Sequence, residues 1–189
     1  MKKKVVILSA FLSPIRSGAE ACAEEVAIEL ADQFDITIIT AKLRRDLPRD
    51  DRLRGIVPVR RVGLGFGFDK WLFPFLAPLA ARTYKPDIIH AVLESFAGLA
   101  LIFCKWITSA KRILTCQSTN TTLLVGAMHR SADLITVISN VLKDRAASFE
   151  RKDVALIPNG LHIADVPKRE KVFGSILFVG RLEKMKGID

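Results

Sequence analysis

The chain has 189 residues, half of them hydrophobic, and a net charge of +9. That is long enough to bury a real core, and it excludes a disordered or low-complexity protein. The positive balance favours an anionic partner such as nucleic acid, a phosphorylated ligand or an anionic lipid surface. Lys4–Ser9 (KVVILS) is a continuous apolar run, the pattern of a strand covered on both faces in a parallel sheet. Residues 19–33 carry Cys22, Ala23, Val26, Ala27 and Leu30 at helical spacing. Ile36–Thr40 is the next strand, so residues 4–40 read as one right-handed βαβ unit. MKKK followed by VVILSAFLS imitates a secretory leader, but Arg16 and Glu20 place charges where a cleavage region is small and neutral.

From Lys42 to Arg61 eight cations face three aspartates, which reads either as a solvated loop or as a docking surface. Val57–Val62 is a strand. Residues 70–84 are helical in part, with Pro74 and Pro78 expected to break or kink the helix. Asp87–Ala91 is a short buried strand and Phe96–Ile107 an apolar helix. Arg112–Thr115 is a strand, residues 123–130 a helix and Leu134–Ile138 a strand. Ser139 caps a helix to about Ser148, and Val154–Ile157 is a strand. Alternating strands and helices predict an α/β fold, a Rossmann-like doubly wound parallel sheet. Residues 158–171 have a linker composition, and 174–179 begin a fresh strand. The expected organisation is one domain over 1–167, then a linker and the start of a second domain over 168–189. The longest apolar run, Phe96–Cys104, is nine residues, against the ~20 that span a bilayer.

In such sheets ligands bind at the carboxyl ends of the strands. Gly18 opens the first helix there and reads either as a flexible turn or as an anion site, where free N–H groups and the helix dipole suit a negative charge. His90 ends the DIIHA strand, with Glu94 four residues on. Gln117 follows the next strand and offers an amide to a polar ligand. Arg181 and Lys186 flank a strand-to-helix corner and read either as a pair that could neutralise a diphosphate or as two surface cations on a basic protein. Cys22, Cys104 and Cys116 sit in apolar contexts and read as small buried hydrophobes. No HxxxH, HExxH, CxxC or DxD spacing appears, so no metal site is expected. No nucleic-acid motif accompanies the charge, so no specific nucleic-acid binding is expected. Trp71-Leu72-Phe73-Pro74-Phe75 beside cations reads either as core or as a contact with an anionic membrane.

Taken in order, SGAE, PDIIHA with Gly98, LTCQS, ADLITVIS, VALIPNGL and ILFVGRLEKMKG resemble the N-terminal half of a family 4 glycosyltransferase with the GT-B fold. The resemblance implies a retaining transferase that takes a nucleotide-diphosphate sugar as donor, with no cofactor and no metal in the protein. Its acceptor would be a lipid-linked glycan, a polysaccharide or another glycan. It implies that Gly18, Arg181 and Lys186 bind donor phosphates, that His90 and Gln117 line the catalytic centre, and that Asn159 and Gly160 form a loop beside the interdomain cleft. The chain departs from the family where Ser17 replaces a second Gly, Val92 replaces a second His and Gln117 replaces a His. The family's C-terminal paired-Glu motif is not in the chain, which reads as an inactive fragment of a cytoplasmic, peripherally membrane-associated enzyme. The alternatives are a non-catalytic acceptor-binding subunit of a split transferase, or a polyanion-binding module.

Overall fold

Behind the N-terminal lysines, β-branched residues form β1 (Lys4–Leu8), where Val6 and Leu8 face one core and Ile7 the other. Both faces of this strand are buried, which is why its sequence is continuously apolar. The elements that follow are α1 (Gly18–Glu29), β2 (Asp35–Ala41), β3 (Asp50–Leu53), β4 (Val57–Val62), α2 (Asp69–Thr83), β5 (Ile88–Val92) and α3 (Phe96–Ile107). Then come β6 (Lys111–Cys116), α4 (Val125–Ser131), β7 (Leu134–Val137), α5 (Asn140–Ser148) and β8 (Val154–Leu156). This computed structural model describes residues 2–119, 124–160, 174, 176 and 178–180.

The strands form one eight-stranded sheet in the order β3-β4-β2-β1-β5-β6-β7-β8. Every pairing is parallel except β3 with β4. The expected Rossmann-like α/β fold is therefore present. The chain winds outward from β1 to β2 and returns to β5 on the other side of β1. The crevice between the carboxyl ends of β1 and β5 is the topological switch point, where ligands bind in such sheets. One core cluster joins Ala23 and Ala27 of α1 to Ile7, Ile36 and Ile38. The other sets Phe73, Ala77 and Ala81 of α2, Ala97, Ala100 and Leu101 of α3 and Met128 of α4 against the opposite sheet face.

Several elements differ from the sequence reading. α2 runs unbroken through Pro74 and Pro78. Both prolines are buried, and Phe73, Ala77 and Ala81, one turn apart, bury the helix completely along one stripe. That tertiary packing outweighs the two lost backbone hydrogen bonds. The basic segment is not a plain loop. It folds into the β3–β4 hairpin, and Asp50–Arg60 (2.5 Å) and Asp51–Arg61 (2.8 Å) pair its charges across the ladder. Cys104 and Cys116 are buried as expected, but Cys22 is only half-buried. β5 extends two residues past His90, which therefore lies within the strand, between Ile7 of β1 and Ile113 of β6. Ser139 does cap α5, its hydroxyl accepting from the Leu142 N–H at 3.5 Å.

The chain divides into two compact units, Met1–Asn159 and Gly160–Asp189. Most of the segment from 158 to 171 lies outside the described residues, as do Arg181, Lys186 and Leu123. Of the strand expected over 174–179, the described positions 174, 176, 178 and 179 are not in a strand. Ile176 is fully exposed, and a strand without a neighbour leaves its N–H and C=O groups unpaired.

Candidate functional site at the carboxyl edge of the sheet

Three of the residues singled out in the sequence lie along one edge. Gly18 is the first residue of α1, directly after the β1–α1 loop. Glu20 reaches back from the third helical position and accepts from the Ser17 N–H at 2.8 Å. This closes a capping box and fixes the entry of the helix. Glu24, also buried, accepts from the Ser13 N–H at 2.7 Å and pairs with Arg16 at 2.5 Å, which ties the loop to the helix. Gly18 itself is exposed, and a Cβ there would meet nothing within 4 Å. Its surroundings are open to a ligand rather than filled by protein.

Asn159 joins this region to the far strands. Its side-chain amide donates to Gln117 Oε1 at 3.4 Å, and its Oδ1 accepts from Cys22 Sγ at 3.2 Å. Cys22 lies one turn beyond Gly18 on α1, so it shares a helix face with it. The structure thus brings Gln117 and Asn159 together and places them by the first helix. Gln117 Nε2 is buried and has no partner among the described residues. Gly160 opens the second unit and is exposed.

His90 sits deeper. Its Nε2 is 2.6 Å from Thr115 Oγ1, and that hydroxyl is 2.6 Å from Thr136 Oγ1. The three residues form a polar ladder across β5, β6 and β7, on the sheet face opposite Ile89, Leu114 and Ile135. Alternation in a strand makes this possible, because residues two apart share a face. Burial pushes the His90 imidazole down to about 4, so the ring is neutral at pH 7. A neutral imidazole can donate or accept a hydrogen bond, but at this depth it is a poor proton acceptor.

Sequence reasoning missed a second constellation. Glu94 follows Leu93, a residue at φ 80° just past the end of β5. Its carboxylate accepts from His129 Nε2 of α4 at 2.8 Å, and Arg145 of α5 lies 3.6 Å away. Cys116 Sγ, at the end of β6, is 3.7 Å from the same His129 nitrogen. Burial, and then the Glu94 carboxylate, push the Cys116 thiol far up, so it stays protonated. Arg145 also donates to the Ser118 carbonyl at 2.6 Å, which grips the chain one residue past Gln117. Phe149 lies against the His129 ring at 4.9 Å.

Glu94, Cys116 and His129 offer ligand atoms within 4.8 Å of one another, a grouping that no sequence spacing announced. The Arg145 guanidinium already stands beside Glu94 as counter-charge, and a metal ion there would be repelled by it. The group is better suited to clamp the β6–α4 connection than to hold a cation. Positions 94, 116, 129 and 145 have no common period, so only the fold could bring them together.

A doubly wound sheet with a polar carboxyl edge, an open helix N-terminus and a switch-point crevice is a Rossmann-like domain, the fold also seen in GT-B glycosyltransferases. The chain belongs to glycosyltransferase family 4, whose model matches residues 16–165. Among solved structures it is similar to a sucrose-phosphate synthase from Thermosynechococcus elongatus. Against a partial chain of that protein the TM-score is 0.61 at 14% identity, covering 84% of this chain and 90% of that one. Against a longer chain of the synthase the TM-score is 0.65 at 13% identity, covering 86% of this chain and 49% of that one. It is also similar to Anabaena HepE in complex with UDP and glucose, with a TM-score of 0.63, 14% identity, and 87% and 46% coverage. This chain thus spans about half the length of those two longer proteins. No curated protein matches the sequence significantly.

Proposed function

We propose that this chain forms the acceptor-side half of a retaining glycosyltransferase. The reaction would move a sugar from a nucleotide-diphosphate sugar to a hydroxyl of a glycan or lipid-linked glycan. The observation that carries this reading is the meeting of Gln117 and Asn159 beside the Gly18 helix terminus, in a chain of glycosyltransferase family 4. The HepE complex with UDP and glucose supports a nucleotide-sugar donor.

In this reading the free N–H groups at Gly18 receive a phosphate of the donor or of the acceptor, since a helix N-terminus favours negative charge. Gln117 presents an amide to sugar hydroxyls, and its buried, unpartnered Nε2 is the donor available for that bond. His90 stays neutral and serves as a hydrogen-bonding group in the floor of the cleft, rather than as a proton carrier. Arg181 and Lys186 would neutralise the donor diphosphate and stabilise the departing nucleotide as charge develops on it. Asn159 and Gly160 would form the loop at the mouth of the cleft. No cofactor beyond the donor substrate is invoked.

Amide NMR of the chain, titrated with UDP-glucose, GDP-mannose and simple sugar phosphates, tests the reading. Shifts confined to Gly18, Gln117, Asn159 and their neighbours are expected. Shifts only elsewhere, or none with any of these ligands, would overturn it. Retention is checked separately, from the anomeric configuration of the product made by the enzyme that carries this domain.

A further inference from the structure

α2 and α3 bury one stripe and leave another bare. Trp71, Phe75 and Leu79 fall at i, i+4 and i+8 on α2 and are 63%, 56% and 57% exposed. They form a straight apolar line about 12 Å long at 1.5 Å per residue. Phe75 packs on Phe103 of α3 at 4.9 Å, and Trp106, one turn on from Phe103, is 78% exposed. Both tryptophans of the chain therefore stand on this surface. An exposed apolar patch this continuous marks a binding surface rather than ordinary surface composition.

Its charge is one-sided. α2 and α3 together carry a single acidic residue, Asp69, and that one is fully buried. The basic residues on the two helices are Lys70, Arg82 and Lys105; Arg82 and Lys105 are exposed and Lys70 is half-buried. Leu76 and Ala80 flank the apolar line and border a recess of about 290 Å³ that Arg49, Arg60 and Arg61 also line. Arg60 and Arg61 are paired with Asp50 and Asp51, whereas Arg49 has no acidic partner among the described residues. Trp and Phe beside Lys and Arg, with no exposed acid on the two helices and the exposed Asp50 and Asp51 of the hairpin already paired to Arg60 and Arg61, fit the interface of an anionic bilayer. There the rings sit at headgroup depth and the cations meet lipid phosphates. A protein partner would need complementary shape, but a bilayer needs only this composition.

We propose that the α2–α3 surface docks the protein peripherally on an anionic membrane. No helix among the described residues is long and apolar enough to cross one, so the contact lies in the interface plane. The surface leads to the candidate site. Trp71 meets Phe96, the first residue of α3, edge-on at 5.0 Å, and Phe96 meets Phe11, just past β1, at 6.2 Å. This aromatic chain runs from the membrane-facing line to the crevice between β1 and β5. Docking would therefore present the crevice to an acceptor carried on a lipid. That last step rests on the transferase reading, while docking itself does not.

Vesicle sedimentation of the chain tests the docking. The chain is expected to sediment with vesicles of phosphatidylglycerol and phosphatidylcholine in equal parts, and not with phosphatidylcholine alone. Tryptophan emission should shift to the blue on binding. The variant Trp71→Ser/Phe75→Ser/Leu79→Ser should lose sedimentation while keeping its circular dichroism, because all three side chains are exposed. Lys70→Gln, Arg82→Gln and Lys105→Gln should each weaken partitioning about fivefold, the ~1 kcal/mol that one basic residue contributes at such a surface. Three results would each overturn the proposal: equal binding to neutral vesicles, variants that bind as the parent does, or a dimer that the serine variant dissociates and that binds no vesicle. Sedimentation with no ligand-induced NMR shift at Gly18, Gln117 or Asn159 would uphold docking and reject the transferase reading.

Discussion

Replacing Glu94 by alanine should unfold the domain more readily than any surface change, and the structure sets the scale. The carboxylate is 1% exposed, His129 is fully buried, and Arg145 lies 3.6 Å from the same oxygen. Removing one member of a buried charged group leaves the others desolvated and uncompensated, which costs about 3–5 kcal/mol. In a domain of this size each kcal/mol moves Tm by about 2–4 °C, so a drop of roughly 10 °C follows. Urea denaturation followed by circular dichroism reads the free energy directly. Glu94→Gln keeps the shape and one acceptor, so it should fall between parent and alanine variant. A double-mutant cycle of Glu94→Ala with His129→Ala should show strong coupling, because either single change already breaks the bond. The same variants should loosen the segment from Gln117 to Ser118, through the Arg145 bond to the Ser118 carbonyl. Hydrogen exchange at residues 116–119 reports that effect. A cost below about 1 kcal/mol with additive single mutants would refute the clamp.

Gly18→Ala should leave stability within about 0.5 kcal/mol, since the added Cβ meets nothing and alanine is a good helix former. It should still weaken nucleotide-sugar binding in the NMR titration, and unchanged affinity would remove Gly18 from the site. His90 makes stability depend on pH. The unfolded ring takes up a proton near pH 6.5 and the folded one only near 4, so stability is full above 6.5 and declines as pH falls through that window. His90→Gln should flatten this decline when urea midpoints at pH 7 and pH 5 are compared; parallel slopes would contradict the burial. Gly63→Ala should be costly. Gly63 has φ 118°, and its Cβ would come within 2.5 Å of the Asp69 carboxyl, which accepts from the Gly65 and Phe66 N–H groups. A loss of about 2 kcal/mol or more is expected from the backbone strain and the displaced carboxylate. A thermal melt like the parent's would show that the loop adapts.

Fold class and the order of every strand and helix except β3 are legible in the residues alone. Short continuous runs rich in β-branched residues, such as KVVILS and ITIIT, read as strands covered on both faces, and the helical periodicity between them reads as crossover helices. Gly18 at the start of a helix and Gln117 just past a strand are legible too, because strand ends and helix starts show where apolar runs stop, whereas Asn159 is marked only by the family resemblance. What lies between these landmarks depends on contacts that no local pattern records. Asp50–Leu53 is too charged to read as a strand, and it became one through ion pairs to β4 across the hairpin. Pro74 and Pro78 read as helix breakers, and burial of the Phe73–Ala77–Ala81 stripe overrode them. The same packing turned Trp71, Phe75 and Leu79 outward, a choice between core and surface that composition left open. Glu94, Cys116, His129 and Arg145 share no spacing, so their meeting depends on parallel crossovers that bring distant strand ends to one edge. Local patterns report which residues a helix or strand will bury; contacts between residues far apart in the chain exist only once the sheet order is fixed.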